Sequence, residues 1–235
     1  MTTKEILLQL QEFGNDQTKK IFMRHGAKEP FFGVKVQDLK RIQKQIKKDH
    51  KLALELYETG NSDAMYLASL IAEPNKMTKK QLQNWAEKAY WYMLSEYPVA
   101  WTTSESNFGW ELALEWIKAN KENIASSGWA TLSYIIAIKE DKEIDLKKIE
   151  VLLDFVSKNI HSAKNRVKYT MNNFVIAAGG YIQSLNEKSK SVAISIGKVD
   201  VEMGGTSCKV PLAIDYIKKI EDRNKVGVKR KTAFC

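Results

Sequence analysis

The chain has only two cysteines, four prolines and three histidines in 235 residues, and each scarcity closes off a class of protein. Cys208 and Cys235 cannot make a disulfide framework. With His25, His50 and His161 scattered, no Cys/His cluster has zinc-ligand spacing. No metal site and no cofactor are therefore expected. Few prolines and only twelve glycines leave little turn chemistry for an all-β fold and favour long helices. No apolar run approaches a membrane span, and the opening Met1-Thr2-Thr3-Lys4-Glu5 lacks the apolar core of a signal peptide. A cytoplasmic protein with no membrane partner is expected. Gly179-Gly180 and Gly204-Gly205 stand outside any phosphate-cradling glycine pattern, and no Ser/His/Asp or Cys/His constellation is legible. Cys208, three residues before Pro211, could present a thiol at a helix start, but a lone such cysteine is more often inert.

What is present is helical periodicity. The chain is 44% hydrophobic, enough at this length to bury a sizeable core. Ile6, Leu7, Leu10 and Phe13 share one helix face, and Val36, Leu39, Ile42 and Ile46 share another. Gly60-Asn61 ends one helix, and Asn61-Ser62-Asp63 can cap the next, which Pro74 stops. Thr78 with Gln81 forms a capping-box pattern. The periodicity continues through 108–117, 129–138, 146–156, 166–178, 192–196 and 212–220. Val199-Asp200-Val201 is the nearest approach to a strand. Many helices joined by short connections predict stacked helix pairs in a curved all-α solenoid, with a globular helical bundle as the alternative. Residues 1–222 are read as one helical-repeat domain and 223–235 as a basic C-terminal tail.

Two features point toward a polyanionic partner. Thirty-seven Lys+Arg against 28 Asp+Glu give a formal net charge of +9, which attracts nucleic acid. The cations gather along Lys40–Lys48, in the acid-free run Lys158, His161, Lys164, Arg166 and Lys168, and in the tail with Lys225, Lys229, Arg230 and Lys231. Cations at helix ends and in loops suit phosphate contact. All six tryptophans lie between Trp85 and Trp129, among Tyr90, Tyr92 and Tyr97. Such rings can stack on bases, although most aromatics at helical spacing belong to a core.

Phe32-Gly33-Val34-Lys35-Val36, Leu39-Lys40, the Trp-rich centre, Asn165-Arg166-Val167 with Tyr169, and Phe174 through Gly179 resemble the DNA alkylation repair proteins of the AlkD type. The segment Ile196 to Pro211 and the tail Lys229 to Cys235 resemble a divergent subgroup. The resemblance implies HEAT-like repeats in a curved α–α superhelix whose concave basic face holds double-stranded DNA, alkylated or distorted, with the protein a monomer. It also implies excision of 3-methyl- or 7-methylpurines. There a tryptophan and an aspartate one helical turn later would sit by the deoxyribose, and an arginine further along would hold the backbone. Two registers are open. Trp91 is followed at that offset by Ser95, whereas Trp101 is followed by Glu105. The arginine position falls near Trp129, where no arginine stands. Trp91, Trp101 and Glu105 are the catalytic candidates. Trp129, Lys164, Arg166, Lys168, Lys229, Arg230 and Lys231 are the DNA-binding candidates. Removing one well-placed stabilising group costs ~10²–10³ in rate, so two other readings stand beside the glycosylase. One is a member that binds damaged or distorted DNA without excision; the other is a protein-interaction scaffold.

Overall fold

A computed structural model describes residues 1–206 and 208–234; Cys235 and Ser207 lie outside the described residues. The described chain is helical, with no strand, so Val199-Asp200-Val201 runs as irregular backbone.

The first turns follow local chemistry. Helix α1 (Thr3–Glu12) opens on a capping box between Thr2 and Glu5. Helices α2 (Asp16–Arg24) and α3 (Val36–Ile46) follow. The Phe31–Val34 link between them is pinned by one buried carboxylate. Asp63 accepts backbone N–H bonds from Phe32, Gly33 and Val34 at 2.6, 3.0 and 3.1 Å. Burial pushes the Asp63 carboxyl up, against those three donors that pull it down. Gly33 has φ +77°, and a Cβ there would stand 2.6 Å from the Lys19 nitrogen, so the turn requires glycine.

From residue 50 onward the helices pair. Helix α4 (His50–Glu58) packs on α5 (Ser62–Ile71), whose start Asn61 caps by accepting from Asp63 and Ala64. Helix α6 (Lys79–Lys88) begins at the Thr78–Gln81 capping box. Next comes an interrupted helix built from α7 (Tyr92–Leu94), a π-helical turn at Ser95–Val99 and α8 (Ala100–Ser104). Pro98 lies inside that π turn, where its missing N–H breaks the regular ladder. Helix α9 (Gly109–Trp116) pairs with α10 (Glu122–Ile138), which starts earlier than the periodicity at 129–138 marks. Helix α11 (Leu146–Asn159) pairs with α12 (Asn165–Tyr181), and α13 (Asn186–Ile196) with α14 (Ala213–Glu221). The second members α5, α7–α8, α10, α12 and α14 lie side by side as the inner layer of a HEAT-like superhelix.

Most inner helices are buried almost all round, the terminal α14 excepted. Every residue of α5 is buried, while α6 and α11 bury only one stripe. The core has two clusters. The first is centred on Tyr57 stacked on Trp85 at 4.1 Å, with Trp91, Trp101 and Trp116. The second is centred on Trp129, Phe174 and Leu153. Gly179 and Gly180 let α14 lie close on α12, since a Cβ at either would stand 2.7 Å from Ile217 or Ile220.

Two irregular segments cross the inner helices at opposite ends. Residues 197–206 and 208–212 cross near the α12 start. There Asn165 exchanges hydrogen bonds with the Glu202 backbone at 2.9 and 2.7 Å, and Gly204 abuts the Arg24 carbonyl that ends α2. Residues 225–234, within the stretch 223–235 read as a basic tail, pack along the C-terminal ends. Gly227 donates to the Gly180 carbonyl, and Arg230 donates to that of Ala137. Ala233 is fully buried, and the Phe234 ring lies 5.7 Å from Trp101.

Candidate nucleic-acid interface

The inner face gathers its polar chemistry around Arg166. This residue opens α12, where its backbone N–H donates to Glu122 at 3.0 Å. Its guanidinium donates twice to Glu96 of the π turn, Nε to Oε1 at 2.7 Å and Nη2 to Oε2 at 2.6 Å. This is the bidentate geometry that arginine's planar fork favours. The rings of Tyr92 and Tyr169 close the two faces, 4.2 and 4.3 Å from the guanidinium carbon. Met203 of the 197–212 segment accepts from Nη1 at 3.4 Å.

The Glu96 side chain is 3% exposed. Burial pushes its carboxyl up to about 7, although Arg166 pulls it down. Burial also lifts the Tyr92 phenol to about 12. His25 packs edge-on to Tyr92 at 5.9 Å, and its imidazole is pushed down by burial and by Arg166. His25, Tyr92 and Arg166 border a cavity of about 320 Å³ that Met203 and Gly204 also line.

Of the catalytic candidates, Trp91 lines this cavity beside Tyr92, while Trp101 and Glu105 fall elsewhere. Trp91 is buried, its indole Nε1 donating to Ser62 at 2.9 Å and its ring against Phe22. Ser95 is buried and approaches Ser126 at 3.5 Å. Trp101 is 1% exposed in the first core cluster. Glu105 accepts from the Thr232 hydroxyl and, at 2.7 Å, from the Ala233 N–H. Neither register therefore brings an open tryptophan and a free carboxylate together on the inner face. Glu96 was missed by sequence reasoning. Its signal was present, because Tyr92–Glu96 reproduces the aromatic–carboxylate offset one residue beyond Trp91–Ser95.

The DNA-binding candidates separate into three kinds. Trp129 is 1% exposed between Phe155 and Phe174, so its place is the core. Arg166 is consumed by Glu96. Lys229 is held to the Ile136 carbonyl at 3.0 Å and to Asp141 at 2.8 Å. Lys164 and Lys231 are exposed, and Lys168 and Arg230 are half-buried. Lys164 precedes the α12 start and donates to Asn120, beside exposed Lys121 before α10. Cations therefore stand at both rims of the inner layer. Among the described residues no cluster of three His, Cys, Asp or Glu could hold a metal ion, and no helix is long and apolar enough to cross a membrane.

Comparison with known proteins agrees with this architecture. An uncharacterized protein of Listeria innocua is 37% identical over 95% of this chain and 99% of its own length. One of Listeria monocytogenes is 36% identical over 96% and 100%. A solved structure superposes with a TM-score of 0.92 at 38% identity, covering both chains completely. It is described as representing a new family of proteins related to the HEAT-like repeat DNA glycosylases, with affinity for branched DNA structures. The family model described as "DNA alkylation repair enzyme" matches residues 6–188. The chain belongs to the DNA alkylation repair enzyme family.

Proposed function

We propose that the chain binds DNA along its inner face, prefers branched or distorted DNA to continuous duplex, and does not excise alkylated purines by a carboxylate-assisted route. One observation carries the reading: the bidentate Arg166–Glu96 pair between Tyr92 and Tyr169. A carboxylate supports a developing oxocarbenium ion only if its charge is free to face the sugar. Both oxygens of Glu96 face a guanidinium, and Glu105 is occupied by residues 232 and 233. The net charge of +9 and the exposed Lys121, Lys164 and Lys231 supply phosphate contacts. The affinity printed for the related structure supports the branched preference. A DNA partner would also suit the cytoplasmic placement expected from the sequence.

Fluorescence anisotropy with a four-way junction and with a duplex of the same length tests the binding. Tighter junction binding, falling steeply as salt rises, is expected. Equal affinity, or insensitivity to salt, would refute it and favour the protein-scaffold reading. Incubation with duplex containing 7-methylguanine tests the chemistry. Release no faster than the uncatalysed rate is expected. The Tyr92–Glu96 offset favours the glycosylase as second reading, and release that Glu96→Gln abolishes would establish it.

A further inference from the structure

A second cavity, of about 350 Å³, opens on the inner face next to the Arg166 cluster, with Glu96 and Tyr169 of that cluster in its wall. This volume lies in the range of small-molecule pockets, ~300–1,000 Å³. Its wall follows from one stripe of α12: Tyr169, Asn173, Ala177 and Tyr181 recur every fourth residue and so share a face. Tyr97 of the π turn and Tyr216 of α14 supply two more rings from neighbouring inner elements. Small Ala177 leaves room between the rings of α12. Tyr97, Tyr169 and Tyr181 are each half-buried, and Tyr216 is 47% exposed. At the mouth stand exposed Lys209, from the 197–212 segment, and half-buried Arg230, from the 225–234 segment.

Several tyrosine rings, one side-chain amide and two cations at the mouth match one ligand chemistry: a flat base joined to a phosphate. Aromatic faces stack any base, the amide can donate and accept at a base edge, and the cations suit the phosphate. A continuous duplex keeps its bases stacked, whereas a branch point offers unpaired ones. We infer that this cavity takes one unpaired nucleotide from the branch point of a DNA, its base against the tyrosine rings and its phosphate toward Lys209 and Arg230. The inference rests on the DNA-binding reading above and gives that reading a specific source of branch preference.

The test is fluorescence anisotropy on a forked duplex with one unpaired thymidine at the branch, on the same fork with an abasic residue there, and on continuous duplex. For the unsubstituted protein the abasic fork should bind about tenfold more weakly than the thymidine fork. Tyr181→Ala combined with Tyr216→Ala should weaken thymidine-fork binding by a similar factor, abolish the response to the abasic residue, and leave continuous-duplex affinity unchanged. Tyr181→Phe should retain the response. If Tyr181→Ala lowers the melting temperature, Tyr216→Ala alone, at an exposed ring, should give a smaller loss of the same pattern. Equal binding of the two forks by the unsubstituted protein would overturn the pocket while leaving DNA binding intact. So would equal losses on fork and duplex in the variants. Absence of binding to all three DNAs would overturn both readings.

Discussion

The two ends of the inner helices are covered in opposite ways. At the C-terminal ends, residues 225–234 supply backbone N–H donors to carbonyls that a helix end leaves unsatisfied, Gly180 in α12 and Ala137 in α10. Ala233 and Phe234 then bury apolar surface on the core. At the N-terminal ends, residues 197–212 are held mainly by side chains: Asn165 to the Glu202 backbone, Asn172 to the Pro211 carbonyl, and Arg166 to Met203. Glu202, Gly204, Gly205, Cys208 and Lys209 remain exposed there. One end is sealed as part of the fold. The other is covered by a segment that a ligand could displace, and it lies beside the Arg166 cavity. The two segments also differ in charge: 225–234 carries four cations and no acid, while 197–212 carries two cations and two acids.

The strongest way to break this comparison is Arg166→Ala. It leaves the Glu96 carboxylate buried without its partner, so a loss of about 3–5 kcal/mol in denaturant unfolding is expected. A loss below 1 kcal/mol would mean that the pair is not needed to hold α12 against the π turn. Next, Glu105→Ala removes the acceptor of Thr232 and Ala233 and should cost about 1.5–3 kcal/mol. Proteolysis should then cut within 225–234 while the helical core survives. Unchanged protease resistance would contradict the seal.

The third prediction concerns pH. The folded Glu96 pKa of about 7 lies above the ordinary ~4.3 of a free side chain, so the folded chain binds the extra proton between those values. This group's stabilising contribution is complete below the unfolded value and is lost as pH rises through about 7. The slope reaches at most about 1.4 kcal/mol per pH unit. Glu96→Gln should flatten stability between pH 5 and 8, and an identical slope in both proteins would contradict it. Smallest is Gly204→Ala. Gly204 has φ +69°, and a Cβ there would stand 2.1 Å from the Arg24 carbonyl. The substitution should loosen the 197–212 segment, read as faster amide exchange there. Global stability should fall by about 1 kcal/mol, and a loss as large as that of Glu105→Ala would erase the contrast between the two ends.

Much of the scaffold was legible because helix boundaries are local chemistry. Asn61 and the Thr78–Gln81 box cap the helices they were expected to cap. Helix α5 ends before Pro74, as a proline stop requires. The site was less legible for two physical reasons. The π turn at Ser95–Val99 turns Glu96 inward, and an ordinary helical wheel through Trp91 cannot anticipate that extra residue in the turn. Glu96 also meets Arg166 across 70 residues of sequence, a pairing that no local pattern encodes. For 223–235, charge suggested a basic tail that contacts phosphate. Ala233 and Phe234 outweigh it, because two apolar residues after the last cation are enough to dock the segment on Trp101.

The Glu105 contacts also impose an order on folding. Glu105 meets Thr232 and Ala233 at sequence separations of 127 and 128, among the most distant partners in the chain. Each earlier helix pair can close as soon as it leaves the ribosome, because its contacts are near neighbours. The Trp101 surface has to wait until residues 232–234 emerge. Contacts of such long range form late and leave apolar surface uncovered meanwhile. Refolding followed by the Trp101 environment should therefore lag behind refolding followed by helix content, with residues 225–234 as the last piece of the native structure to arrive.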